Sequence, residues 1–160
     1  MIRAITEVGV AVRDLRQAMV HLEATLGAVP GPIQRYEPYG MEFCMCRVGN
    51  VDFELMAPLD DTGVIARFLE RRGEGLHHVG FAVDNAEADQ RRLEARGLRF
   101  VDERPRRQRF LLADGTPQGH EAECSFAFSR PSSCLGMLLE FIEYPPGFAA
   151  PGVATQVSAS

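Results

Sequence analysis

The segment LHHVGFAV, residues 76–83, is echoed near the start of the chain by TEVGVAV, residues 6–12. When His78 is aligned with Glu7, the residues Val, Gly, Ala and Val coincide within the next five positions. Each copy has the small and β-branched residues of a buried strand, and each leads directly into an amphipathic helix. The sequence therefore contains an internal repeat in which one copy carries an imidazole where the other carries a carboxylate.

The repeat predicts two copies of one element order. Module one, residues 2–58, is expected to form a strand, a helix and three strands, the last two joined by a turn at Gly49-Asn50. A connector with its own helix covers residues 60–73, and module two, residues 76–144, repeats the order. The predicted fold class is α+β, with two βαβββ modules forming a curved mixed sheet around one cleft.

Residues 1–144 are accordingly expected to form a single domain. Residues 145–160 are rich in Pro, Gly, Ala and Ser, a composition that predicts a flexible C-terminal tail.

Local signals set the expected limits of the elements in each module. Asp14 with Gln17 forms a capping box for the first helix, and Asp84 with Glu87 forms one for the corresponding helix of module two. Residues 98–101 read as a strand, and residues 122–129 and 135–144 read as the last two strands of module two. Residues 104–121 are mostly polar and predict a long irregular loop, whose basic run at 104–109 suits either an anionic group or plain solvation.

Composition narrows the classes of function. The net charge of −5 argues against nucleic acid as a partner, because a phosphate-binding surface needs an excess of basic residues. No apolar run approaches the roughly 20 residues that span a bilayer, and the first residues lack a signal-peptide core. The sequence therefore predicts a cytoplasmic protein with no membrane partner.

Four polar residues interrupt strands that are otherwise apolar. Glu7 and His78 lie in the first strands of the two modules, and Glu54 and Glu140 lie in the last strands. A buried unpaired carboxylate is costly, so three carboxylates that converge with one imidazole need a cation, shared protons or water. A divalent metal ion is the simplest answer.

The chain resembles the vicinal oxygen chelate (glyoxalase/bleomycin resistance/dioxygenase) superfamily, and within it the methylmalonyl-CoA epimerase and glyoxalase I branch. The resemblance covers about residues 5–144. The segments that carry it are VGVAVRDL at 8–15, FELMAPL at 53–59, IARFLERRGEGLHH at 65–78, AFSRP at 127–131 and GMLLE at 136–140.

This resemblance implies the vicinal oxygen chelate fold and metal ligands at Glu7, Glu54, His78 and Glu140. His77 is the alternative histidine, but only His78 aligns with Glu7. The resemblance further implies an isomerase, epimerase or lyase that removes a proton next to a carbonyl through a metal-stabilised enolate, with Glu140 or Glu7 as base. The many carboxylates favour Mn, Co, Ni or Mg, with Zn also a candidate.

One departure concerns the second base of the epimerases, a glutamate near the second strand. The nearest match here is Glu37 or Pro38, so this base is displaced or missing.

The resemblance also sets the expected partners: a small-molecule substrate with a carbonyl group, an acyl thioester among the candidates, and a second copy of the chain in a homodimer. Two alternatives stay open. One is a metal-independent acid–base enzyme that uses the same carboxylates. The other is a small-molecule binding protein of the bleomycin-resistance type.

Overall fold

The computed structural model describes residues 1–109, 123–148 and Gly152. Within these residues the chain forms three α-helices and nine β-strands, and two single turns of 3₁₀ helix. The bounds are β1 Ile2–Ala11, α1 Leu15–Leu26, β2 Val29–Pro30, β3 Gln34–Tyr36, β4 Met41–Val48, β5 Val51–Pro58, α2 Val64–Arg72, β6 Gly75–Val83, α3 Ala86–Glu94, β7 Arg106–Arg109, β8 Glu123–Phe128 and β9 Leu139–Glu143.

The strands form one open, curved sheet in the order β2-β4-β5-β1-β6-β9-β8-β7, and β3 pairs with β4 beside this path. At its centre β1 and β6, the two copies of the repeat, pair antiparallel. β5 runs parallel to β1, and β9 runs parallel to β6. The two halves of the sheet therefore have matching strand order, and the predicted fold class is confirmed. The predicted limits of the single domain stay a prediction.

Module one follows the sequence signals closely. β4 and β5 pair along their whole length around the predicted turn, where Gly49 has the positive φ of +60° that such a turn requires. The Asp14 side chain accepts a hydrogen bond from the backbone N–H of Gln17 and so caps α1, which ends at a left-handed Gly27.

β4 shows how the sheet separates core from cleft. Cys44 and Cys46 are fully buried on the face that packs against α1, in a cluster with Leu15 and Leu55. Alternate residues of the same strand point to the opposite face, which is concave and lined by apolar side chains. The helix faces and the cleft face are thus set by the period of two along each strand.

The second strand of module two was predicted in the wrong place. Residues 98–101 do not form a strand, and only a single bridge joins Phe100 to Ser129. Residues 106–109, predicted as part of an irregular loop, form β7 and pair with β8. β7 is a short edge strand made of Arg and Gln, and it lacks the apolar alternation by which strands are recognised. Residues 110–121 of the predicted loop lie outside the described residues.

Two element starts in module two also differ from prediction. α3 is capped by Asn85, whose side chain accepts from the N–H of Ala88, while Asp84 pairs with Arg3. The last strand begins at Leu139 and not at Leu135, because Leu135 and Gly136 both have positive φ and form a turn.

Of the predicted tail, Pro145–Phe148 and Gly152 are described, and Phe148 stacks on Tyr144 with ring centroids 5.1 Å apart. The rest of residues 145–160 lies outside the described part of the chain. No described helix has the length and apolar character needed to cross a membrane.

Candidate active site and metal centre

The structure brings the four polar residues of the apolar strands together at the base of the cleft. They lie on four neighbouring strands, Glu54 on β5, Glu7 on β1, His78 on β6 and Glu140 on β9. Their roles as metal ligands and bases stay predictions.

His78 is the centre of this group. Its Nε2 lies 3.1 Å from Glu140 Oε2, 3.4 Å from Glu7 Oε1 and 3.5 Å from Glu54 Oε2. Glu7, His78 and Glu140 are buried, and each offers one ligand atom within 4.8 Å of the other two. The spacing of these donors suits one ion shared among them.

The two glycines of the repeat explain how the side chains fit. Gly9 is paired with His78 and Gly80 with Glu7, so each glycine lies beside the functional side chain of the other copy. A Cβ on Gly9 would lie 2.2 Å from His78 Cε1, and a Cβ on Gly80 would lie 2.2 Å from Glu7 Cγ. The glycines therefore provide the space in which the imidazole and the carboxylate lie flat on the sheet.

We expect Gly80→Ala to displace the Glu7 carboxylate and to destabilise the protein by about 1–3 kcal/mol, the usual cost of overpacking a close-packed site. Urea unfolding measures the cost. In a Glu7→Ala background the added methyl has room, so the same substitution should then cost less than half as much. An equal cost in both backgrounds would disprove the contact with Glu7 as its cause.

Burial favours the protonated forms of Glu54 and Glu140 in the metal-free protein. Burial first, and repulsion from Glu7 second, raise the pKa of Glu54 to about 7 and that of Glu140 well above its usual range. Burial alone would lower the pKa of His78, but its hydrogen bonds to Glu140 and Glu7 and the surrounding negative charge outweigh this and raise the pKa well above 6.5. In the absence of an ion, protons on His78, Glu54 and Glu140 thus offset part of the negative charge of the site.

These shifts predict that the metal-free protein loses stability as the pH rises. Because the pKa of Glu54 is about 7 in the folded protein and near 4.5 when unperturbed, its contribution is fully present below pH 4.5 and is lost as the pH rises through 7. We expect Glu54→Gln to remove about 1 kcal/mol of the stability difference between pH 6 and pH 8, measured by urea unfolding with chelator present. Glu123→Gln, an exposed change of the same type, serves as control. An unchanged pH dependence in Glu54→Gln would contradict the assignment.

His77 is the alternative histidine of the sequence. It contacts the Nδ1 side of the His78 ring, whereas the carboxylates lie on the Nε2 side. The two Nδ1 atoms are 3.0 Å apart, and the His77 ring meets Phe68 edge-on. Burial, and then the nearby His78, lower the pKa of His77 to about 4, so His77 is neutral at neutral pH. A neutral His77 can accept a hydrogen bond from His78 Nδ1, which leaves His78 Nε2 facing the carboxylates.

Above this polar base the cleft is an apolar cavity of about 310 Å³. Its walls combine side chains from β4, β5, β8 and β9. The apolar ones include Met41, Phe43, Met45, Met56, Phe126, Phe128 and Ile142.

Sequence reasoning missed a polar group on the cavity wall. Arg106 of β7 binds the Asp102 carboxylate through two nitrogens, 2.7 and 2.9 Å away, and donates to the Tyr39 hydroxyl over 2.6 Å. Arg106 was noted only as part of a basic run, and nothing in the sequence linked Tyr39 to residues more than 60 positions away. Arg106 and Gln108, two positions apart on β7, both line the cavity, but the all-polar sequence of this strand gave no signal of it.

The structure agrees with the expectation that the second base of the epimerases is displaced or missing here. Glu37 is exposed and does not line the cavity, and Pro38 is exposed as well. Among the described lining residues, the carboxylates are Glu7, Glu54, Asp102 and Glu140. The wall that β4 contributes is apolar. Glu7, Glu54 and Glu140 lie at the base of the cavity beside His78, whereas Asp102 lies on the wall and is paired with Arg106.

A curved sheet of two related halves, with a buried carboxylate–imidazole cluster in its cleft, defines a protein of the vicinal oxygen chelate class. The chain belongs to the glyoxalase/bleomycin resistance protein/dioxygenase superfamily, whose family model matches residues 6–119.

Several relatives within this superfamily are epimerases. The chain is 34% identical to an ethylmalonyl-CoA/methylmalonyl-CoA epimerase from Cereibacter sphaeroides over 88% of its own length and 97% of that protein. It is 31% identical to the mitochondrial methylmalonyl-CoA epimerase of Bos taurus, covering 85% of the chain and 71% of the relative. The crystal structure of a Mycobacterium tuberculosis methylmalonyl-CoA epimerase superimposes with a TM-score of 0.75 at 30% identity, over 89% of this chain and 88% of that one.

These findings confirm the resemblance to the epimerase branch and the prediction of an epimerase-like enzyme, because the relatives are isomerases.

Proposed function

We propose that this protein is a metal-dependent epimerase that inverts the carbon between two carbonyl groups in a short, branched malonyl thioester of coenzyme A. The observation that carries the proposal is the buried cluster of Glu7, His78 and Glu140 at the base of an otherwise apolar cavity. The substrate class is supported by the names of the relatives, which act on methylmalonyl-CoA and ethylmalonyl-CoA.

The donor set suits a hard or borderline divalent ion, and Mn, Co, Ni, Mg and Zn are the candidates. Glu7, His78 and Glu140 would hold it, with Glu54 as the fourth ligand, since its Oε2 also lies 3.5 Å from His78 Nε2. When bound, the ion would act as a Lewis acid that stabilises negative charge on an enolate. His77 would keep His78 in the tautomer whose Nε2 is free to coordinate.

Inversion at carbon requires one group that removes a proton and another that returns one on the opposite side. β1 and β9 flank β6 on its two sides, so Glu7 and Glu140 flank His78 from opposite directions. We assign removal of the proton to Glu140 and its return on the other face to Glu7; the reverse direction exchanges the two roles. The raised pKa of Glu140 suits a carboxylate that takes a proton from carbon in one direction of the reaction and returns it in the other.

The cavity walls supply the setting for this chemistry. Apolar side chains exclude water and leave room for a small alkyl branch. Burial raises the pKa of Tyr39 to about 12, so its phenol stays protonated and can donate to a substrate oxygen.

The test uses single epimers of methylmalonyl-CoA and ethylmalonyl-CoA with protein loaded in turn with each of the five ions. Because the two epimers of a CoA thioester are diastereomers, NMR follows their interconversion directly. We expect both substrates to reach an equal mixture. Recovery of each epimer unchanged with every ion would refute the proposal, and tight retention of the unchanged thioester would favour the binding-protein alternative.

The same experiment with chelated protein separates the metal-free alternative. That alternative has support of its own, because the pKa values of His78 and Glu140 are both raised when no ion is present, so both can carry protons. Full activity after chelation would favour it. The homodimer and the cytoplasmic location stay predictions, the first to be tested by light scattering.

A further inference from the structure

A second hollow of about 290 Å³ adjoins the active-site cavity. It lies between α2 and the turn that precedes β9. Val64, His77 and Leu138 line both spaces, so the hollow opens beside the cavity and not at a remote surface.

The hollow is strongly basic. Arg67, Arg71 and Arg72 project from one side of α2 into it, and all three are exposed. All 17 basic residues of the chain are arginine, whose guanidinium groups bind phosphate oxygens through two parallel hydrogen bonds.

These three arginines have no acidic partner in the part of the chain that the structure describes. Arg67 donates to the Thr62 carbonyl oxygen, and the Arg72 guanidinium lies 6.0 Å from the centre of the Phe68 ring. By contrast, five other arginines in the described part of the chain are paired with carboxylates: Arg3, Arg47, Arg91, Arg92 and Arg106. The charge of α2 is therefore available to a ligand.

A basic surface would favour the binding of an acyl-CoA by this acidic protein. Its phosphates are strongly anionic, whereas the protein has a net charge of −5 and three glutamates at the base of the cavity. A cavity of about 310 Å³ is at the small end of ligand pockets, so it takes the acyl and thioester end and leaves the nucleotide outside.

We propose that the hollow formed by Arg67, Arg71 and Arg72 binds the phosphate groups of the coenzyme A thioester whose acyl end enters the cavity. The proposal rests on the proposed function for its substrate. The three arginines would contribute binding energy through phosphate groups remote from the reacting carbon, and they would take no part in proton transfer.

The test compares a substrate that has the phosphates with one that lacks them. In Arg71→Glu/Arg72→Glu we expect the KM for methylmalonyl-CoA to rise at least about tenfold with kcat within about twofold, since two charge-assisted contacts are lost. The KM for methylmalonyl-pantetheine, which carries no phosphate, should stay within about twofold. Arg96→Glu, an exposed charge reversal after α3, should leave both values unchanged.

A second arm examines the other basic segment. Arg104 and Arg107 are exposed, and neither lines the cavity or the hollow, so Arg104→Glu/Arg107→Glu should have no effect on the KM. An effect confined to this pair, or an equal rise in KM for both thioesters in the α2 variant, would overturn the proposal.

Binding of free coenzyme A, measured by calorimetry, keeps the proposal independent of turnover. If the protein epimerises neither thioester, a tenfold loss of coenzyme A affinity in the α2 variant, absent from Arg96→Glu, still supports the phosphate site. Equal affinity in wild type and variant would refute it, whatever the activity.

Discussion

Glu140→Gln is expected to lower the turnover of methylmalonyl-CoA by about 10³-fold, within the range that a positioned general base contributes. The amide keeps the size of the side chain and one oxygen that can face His78, but it cannot accept a proton from carbon. The Glu140 carboxylate lies 3.1 Å from His78 and is buried, so it is shielded from bulk solvent. KM should change little, because the loss falls on the chemical step.

Initial rates with saturating substrate measure this effect. Glu123→Gln, on the neighbouring strand and exposed, should retain full turnover. In Glu7→Gln, Glu140 can still remove and return a proton on its own face, but no proton is returned on the other face. One epimer should therefore take up solvent deuterium without inverting. If Glu140→Gln retains more than about a tenth of wild-type turnover, Glu140 is not the base.

His78→Ala is expected to abolish both metal binding and activity. Among the residues that the structure describes, His78 is the only imidazole facing the three carboxylates, and it lies between them on the central strand β6. Its loss also removes the imidazole that the three carboxyl groups at the base of the cavity contact, so the metal-free variant should be destabilised by about 3 kcal/mol or more.

Metal content by mass spectrometry and the thermal shift on adding Co²⁺ measure the first effect. Wild type should bind about one ion per chain and show a raised Tm, while His78→Ala should show neither. His21→Ala, an exposed position on α1, is the matched control. Retention of stoichiometric metal by His78→Ala would refute the assigned centre.

The repeat made the centre of the fold predictable. Because LHHVGFAV and TEVGVAV match, β1 and β6 were recognisable as equivalent strands, and the polar residues within apolar strands had to converge once those strands paired. Gly9 and Gly80, shared by both copies, have a physical reason that sequence alone does not reveal: each makes room for the other copy's functional side chain.

The polar group on the cavity wall was not predictable in the same way. β7 is polar on both faces and forms only as the edge of a sheet, so its sequence carries no strand pattern. Tyr39, Asp102 and Arg106 come together through that pairing and not through any local motif. The hollow beside α2 was hidden for a related reason. Its arginines belong to a segment recognised for its family resemblance, and their lack of acidic partners among the described residues is a property of the tertiary structure.

The most direct test of the account is solvent deuterium exchange at carbon 2 of methylmalonyl-CoA, followed by NMR for one protein sample that is chelated and then reloaded with Co²⁺ or Mn²⁺. The account predicts exchange together with inversion in the loaded enzyme, loss of both on chelation, and recovery on reloading. Exchange that persists undiminished after complete metal removal, or no exchange with any ion, would contradict it.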